Sequence, residues 1–286
     1  MNILIYQNNI LLSGSNLLTY NIHPNVTNFC NVAGITATTQ INALNTFMNT
    51  LIGFNKYIPN FVNFVNPAIS QIKLIYPFIG TGTSTQSYNL INPYKYQITF
   101  VGGTNNNSGF TCTGAANSYA YCTYTERPTA PAQPESYFFD GNSTTDVHIS
   151  MYTLLTGSTA GISYGSAAGA AFASGKFYVG GSGVYSNGNT NSNQGVILGN
   201  RKAQNVLNLW QNEVLNPITG VSLANQQNIF SNGHNVQFGR LVTTGFNSPS
   251  NFMYYSYGNG INNNYVESAY QTAINQLQKD LGRNVY

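Results

Sequence analysis

Tyr94-Lys95-Tyr96-Gln97-Ile98-Thr99-Phe100-Val101-Gly102-Gly103 places Tyr94, Tyr96, Ile98 and Phe100 at alternate positions, with Lys95, Gln97 and Thr99 between them. Apolar residues at a period of two belong to a half-buried β-strand, and the glycine pair ends it. Similar runs recur at 118–125, 147–155, 176–179, 195–198, 205–210 and 235–238, separated by Gly, Asn and Ser clusters. Many short strands joined by turns predict an antiparallel β-sandwich over residues 80–286. Within it, Glu126 to Pro134 is proline-spaced and reads as an extended surface loop.

Upstream the pattern changes twice. Residues 1–22 carry five Leu, four Ile and no charged side chain, in short runs broken by Asn-Asn and Ser-Gly. Such a ribbon has no core of its own, so residues 1–29 read as an N-terminal β segment that anchors the chain to a partner. Ile41, Leu44, Met48 and Leu51 then share one helical face, predicting a helix over 38–52 with Thr36 or Thr38 as N-cap and Gly53 as stop. Residues 30–79 therefore read as a helical, aromatic-rich linker. A second helix is predicted over 264–281, where Val266, Tyr270, Ala273, Ile274, Leu277 and Leu281 share a face and Gly282 occupies a C-cap position.

Composition narrows the function. The 286 residues include 10 Lys+Arg and 7 Asp+Glu, 6% charged, against 43 Asn, 27 Thr and 23 Ser. An ordinary soluble domain is about 25% charged. A net charge of +3 forms no basic patch, which argues against a nucleic-acid partner. No apolar run reaches the ~20 residues of a membrane span. Chains this poor in charge meet polar, uncharged surroundings such as sister subunits or glycans.

Chemistry-bearing patterns are sparse. Gly161-Ile162-Ser163-Tyr164-Gly165 matches a nucleophile elbow, but an elbow needs a strand before it and a helix after it, and here Ser, Ala and Gly continue to Gly175. The acids Glu126, Glu135, Asp140, Asp146, Glu213, Glu267 and Asp280 include no pair at the spacing of a glycosidase strand. His23, His148 and His234 are scattered, and Cys30, Cys112 and Cys122 lack zinc-ligand spacing, so neither metal nor cofactor is expected. Cys112 and Cys122 are close enough to face each other across a hairpin, yet read as free thiols of a cytosolic product. The binding candidates are Trp210 and the run Tyr254-Tyr255-Ser256-Tyr257 beside Asn259, because sugar faces stack on aromatic rings and amides bond hydroxyls. The competing reading places the tyrosines in the sandwich core.

Several stretches together resemble a known group. They are Thr36 to Thr50, then Lys73-Leu74-Ile75-Tyr76-Pro77-Phe78-Ile79-Gly80, Tyr88 to Pro93, Thr99 to Gly103, Val196-Ile197-Leu198-Gly199-Asn200-Arg201 to Val214-Leu215, and the tail Tyr270 to Tyr286 ending Leu281-Gly282-Arg283-Asn284-Val285-Tyr286. This set is similar to virion-associated and prophage-encoded proteins of phages infecting Bacteroidetes-type bacteria, which have a concanavalin A-like (laminin-G-like) sandwich or jelly roll. The resemblance spans about residues 30–286. It implies a fibre, spike or minor capsid component, made in the host cytoplasm and carried on the virion. It further implies partners among its own copies, other virion proteins and host cell-surface glycans, with no catalysis. Alternatives are a lattice or vertex component without ligand, or a glycan-cleaving enzyme on the same fold. Two departures stand out. Asn212-Glu213 replaces the usual Asn-Gly, so that turn is expected to be built differently, and Gly258-Asn259-Gly260 replaces Gly-Asp-Gly, removing an anionic ligand.

Overall fold

The computed structural model describes residues 4–6, 9–11, 20–123, 147–155, 162–164, 170–173, 176–179, 193–203, 206–217, 235–241, 246–247 and 249–283. The loop at 126–134, with Asp140, Asp146 and His234, lies outside them. Three short strands open the chain, β1 (Leu4–Tyr6), β2 (Asn9–Leu11) and β3 (Tyr20–Asn21), paired antiparallel in that order. Helix α1 (Pro24–Ala33) follows, with His23 Nδ1 accepting from the Asn25 amide at 3.2 Å, and Gly34 closes it at φ 68°. Helix α2 (Thr38–Gly53) starts from Ala37 with no side-chain cap, so neither Thr36 nor Thr38 plays the expected part. Its buried face is Leu44, Phe47, Met48 and Leu51, with Ile41 only half covered.

The remaining elements are β4 (Ile72–Tyr76), α3 (Thr83–Gln86), β5 (Ile98–Val101), β6 (Thr104–Asn106), β7 (Gly109–Thr113), β8 (Tyr119–Thr123) and β9 (Val147–Leu155). Then come β10 (Ile162–Tyr164), β11 (Ala170–Ala173), β12 (Lys176–Val179), β13 (Asn193–Ala203), β14 (Val206–Gln211), β15 (Val214–Pro217), β16 (Asn235–Phe238), β17 (Arg240–Leu241), β18 (Phe246–Asn247), β19 (Pro249–Gly258) and α4 (Asn264–Asp280). The protein is mainly antiparallel β. The larger sheet runs β15-β14-β13-β9-β19-β7-β6, with β4 on the same edge of β19 as β7. The smaller runs β12-β11-β10-β16-β8-β5.

Side chains alternate across the larger sheet into two cores. On one side Tyr152, Val196, Leu198, Met253 and Tyr254 pack against Val26 and Phe29 of α1, Phe47 and Leu51 of α2, and Tyr270 and Ile274 of α4. On the other, Leu74, Tyr76, Ile149, Met151, Phe252 and Tyr255 meet Ile98, Ala120, Cys122 and Phe238 of the smaller sheet. The order is helices, large sheet, small sheet. A bulge sets Phe252 opposite Thr153 and Tyr254 opposite Tyr152, so Met253 and Tyr254 both enter the helical core.

This layering corrects the three-part division at 29 and 79. Helix α1 runs across the first boundary, with Val26, Phe29, Cys30 and Ala33 buried. Residues 30–79 are no linker, since they supply α2, which helps cover the large sheet, and β4, which is part of it. The alternating stretch also begins later than expected. Tyr96 has φ 60° and Tyr94 is exposed, so the strand starts at Ile98. Cys112 on β7 and Cys122 on β8 lie in different sheets rather than across a hairpin pair. Both are free, as is Cys30, and burial pushes each thiol up to about 12.

Candidate functional site

Helix α4 organises the polar side chains. It is capped by Asn263, whose Oδ1 accepts from the amides of Tyr265 and Val266, and it ends where Gly282 turns left-handed at φ 68°. There the Gly282 amide reaches the Lys279 carbonyl and the Arg283 amide reaches Gln278, the paired closure of a Schellman motif. That turn sends Arg283 inward. Its Nη1 donates to the Phe78 carbonyl at 2.9 Å and its Nη2 to Pro77 at 3.0 Å and Met253 at 3.2 Å. Burial lowers this guanidinium to about 9.

Glu267, one turn into α4, is fully buried. It accepts from Asn200 Nδ2 at 2.8 Å, from Asn208 Nδ2 at 3.0 Å through both oxygens, and from Trp210 Nε1 at 3.1 Å. The Lys202 ammonium lies 2.5 Å from Oε2 and also donates to Asn264 Oδ1 at 2.6 Å. A buried carboxylate needs opposite charge and hydrogen-bond donors in place of the water it loses, and β13 and β14 supply both. Farther along, Glu213 accepts from Thr272 and Asn275 of α4, each at 3.1 Å. Asn212 and Glu213 both have positive φ, 50° and 67°, which is the backbone of a type I′ hairpin. The turn is therefore built in the ordinary way, with a glutamate where glycine is usual and its carboxylate docked on α4.

This geometry relocates the sequence-derived binding residues. Tyr254 and Tyr255 are 0% exposed and Tyr257 is 2% exposed, so no ring face is open to a sugar. The Tyr254 hydroxyl meets the Tyr270 hydroxyl at 2.6 Å, and Tyr270 donates to Ser256 Oγ at 2.8 Å, forming a chain inside the helical core. Tyr255 and Tyr257 face the sandwich core. Trp210 is half-buried and turned toward Glu267. Asn259 takes part through its backbone, its carbonyl 2.6 Å from His148 Nδ1 and its amide donating to Gln71. His148 is fully buried against Tyr270, and burial pushes it down to about 4, the Asn259 contact opposing that only in part. Ser163 sits in β10, paired antiparallel with β16 and hence in no strand-to-helix elbow.

Two features escaped the sequence. Glu267 reads as a lone acid on a helix, and its partners arrive from strands distant along the chain. Among the described residues the most exposed aromatic side chains are Tyr57, Tyr94 and Tyr265, at 41%, 67% and 59%. Among the described residues no group of three or more His, Cys, Asp or Glu could hold a metal ion, and no helix is long and apolar enough to cross a membrane.

No protein-family model matches the chain, and neither does any curated protein. Among solved structures, Trypanosoma rangeli sialidase in complex with sialic acid aligns at TM-score 0.47 and 9% identity, covering 84% of this chain and 39% of that one. The same sialidase in complex with a difluorinated KDN aligns at 0.48 and 9%, covering 84% and 40%. A mutant of it displaying trans-sialidase activity aligns at 0.44 and 9%, covering 86% and 40%. The chain spans about two fifths of the length of these structures.

Proposed function

We propose that this chain is a structural protein of a phage particle whose host is a Bacteroidetes-type bacterium. It is a fibre, spike or minor capsid component made in the host cytoplasm, and it displays a concanavalin A-like sandwich that attaches to host-surface glycans without cleaving them. One observation carries the reading. Two of the stretches that carry the family resemblance, Lys73 to Gly80 and the tail from Tyr270, are joined by hydrogen bonds from Arg283 to the Pro77 and Phe78 carbonyls. Their co-occurrence thus has a structural reason, as expected of a shared architecture. The two antiparallel sheets packed face to face support the sandwich assignment.

Three of the seven acids lie among the described residues, and each has a structural partner. Glu267 and Glu213 hold α4 on the sheet, and Asp280 accepts from Gln276 one turn earlier. Glycan hydrolysis needs one acid to protonate the leaving oxygen and a second carboxylate as base or nucleophile. The test exposes full-length protein to host surface polysaccharide. Retention on the polysaccharide with no new reducing ends is the expected result. Reducing ends that appear and vanish with Glu213→Gln establish the glycan-cleaving alternative, and no retention at all favours a lattice component.

The anchor role of the N-terminal strands needs a cut that respects α1. Removing residues up to Thr36 would strip Val26, Phe29 and Cys30 from the helical core. A chain beginning at Tyr20 keeps that core. It should stay folded and fail to join particles, whereas incorporation equal to the full chain overturns the anchor.

A further inference from the structure

We propose that Tyr57, Tyr265 and Lys56 form a binding platform for an acidic sugar on the helical side of the molecule, a position that rests on the glycan-attachment reading above. The two rings come from opposite ends of the chain. Tyr57 follows the turn Phe54–Lys56 after α2, and Tyr265 lies in the first turn of α4. Their centroids are 4.9 Å apart with planes at 58°, forming a shallow V rather than a flat stack. At 41% and 59% exposure they stay open to solvent, unlike Tyr254, Tyr255 and Tyr257. The Lys56 ammonium stands 4.6 Å from the Tyr57 centroid. It makes no ion pair among the described residues, and its hydrogen bond is what chiefly holds the Tyr57 phenol below its ordinary value.

The setting is fixed before a ligand arrives. Tyr57 is held through its amide to the Phe54 carbonyl at 2.9 Å, and Tyr265 through its amide to Asn263 at 3.0 Å. Beneath the first turn, Lys202 ties the exposed Asn264 to the buried Glu267. Asn264 receives that ammonium on Oδ1, which leaves its amide nitrogen as a two-proton donor, and Asn262 beside it is exposed. Each component suits one part of a pyranose. The C–H face of the ring lies on an aromatic face, the hydroxyls bond the asparagine amides, and a ring carboxylate meets Lys56. Protein partners need far more apolar surface, roughly 800 Å² a side, than two tyrosines set among asparagine and lysine present. Lys56 decides for an acidic over a neutral sugar, because its charge is unmatched by any carboxylate among the described residues.

Titration calorimetry of the full chain with tetragalacturonate, and with maltotetraose as its uncharged counterpart, tests the platform. Saturable binding of tetragalacturonate is expected, weakened about tenfold or more by Tyr265→Ala and preserved by Tyr265→Phe, which keeps the ring. Lys56→Gln should erase the preference for the acidic over the neutral probe. Circular dichroism of each variant should match the parent, since all these side chains are exposed. Absence of tetragalacturonate binding overturns the platform, as does binding indifferent to Tyr265→Ala or a preference that survives Lys56→Gln. If host polysaccharide is still retained in any of those cases, the attachment reading stands and only this site falls. If the polysaccharide is not retained either, both fall.

Discussion

Replacing Glu267 by glutamine keeps the shape of the side chain and removes its charge. The carboxylate now accepts from Asn200, Asn208 and Trp210 and faces the Lys202 ammonium at 2.5 Å. An amide turns one acceptor oxygen into a donor pointed at donors, and it leaves Lys202 without its counter-ion. Breaking a buried ion pair from one side costs about 3–5 kcal/mol. The lower end applies, because the Lys202 side chain keeps 11% exposure and can turn to water. A loss of about 3 kcal/mol in a chain this long should lower Tm by roughly 8 °C. Urea unfolding followed by tryptophan fluorescence is the natural assay, since Trp210 is the one tryptophan in the sequence and is bonded to the altered group. Glu267→Gln combined with Lys202→Met should recover part of the loss, because neither charge then stays buried alone. A loss under about 1 kcal/mol, or strictly additive behaviour of the double variant, refutes the view that this pair clamps α4 to the sheet.

Acid should destabilise the protein through His148. Its folded value, about 4, lies below the unfolded 6.5, so the unfolded chain binds the extra proton. This contribution is fully present above about pH 6.5 and lost as pH falls toward 4, about 3 kcal/mol in total; a His148→Gln variant whose stability falls equally over that window would exclude it. Two glycines should respond in opposite ways. A Cβ on Gly258 would lie 2.2 Å from the Gln71 carbonyl oxygen and 2.7 Å from His148 Cε1, so Gly258→Ala should cost about 3 kcal/mol in urea unfolding. At Gly53, helical at φ −58° with nothing within 4 Å, alanine should stabilise by about 0.5–1 kcal/mol, and the same sign at both positions would contradict the packing described. Thiol titration with Ellman's reagent should find Cys30, Cys112 and Cys122 silent in the folded protein and all three reactive in denaturant. A rapid native thiol, or a Cys112–Cys122 disulfide in cytosolic material, goes against their burial.

Legibility in the sequence followed how many faces an element buries. Helices α2 and α4 bury one face, so their apolar residues recur at helical spacing and both were readable to within a few residues. Helix α1 spans 10 residues and opens on His23-Pro24 rather than a Ser, Thr, Asp or Asn cap, so nothing announced it. Strand β19 is covered on both sides, and its bulge at Met253 breaks what alternation remained. Tyr254, Tyr255 and Tyr257 consequently read as an aromatic binding run when they are the middle of the molecule. The surface pair Tyr57 and Tyr265 was invisible for the opposite reason, because only the packing of α4 beside α2 brings the two together. Glu213 occupies a left-handed position that local preference assigns to glycine, and its bonds to Thr272 and Asn275 account for the exception.

The central claim is that the chain is built into a phage particle. Quantitative mass spectrometry of density-purified particles from the strain that encodes it measures this directly. The account predicts that the chain bands with the major capsid protein at a fixed ratio to it that is unchanged by high-salt washing. A chain that stays in the soluble lysate, with none banding in the particle fraction, contradicts the account.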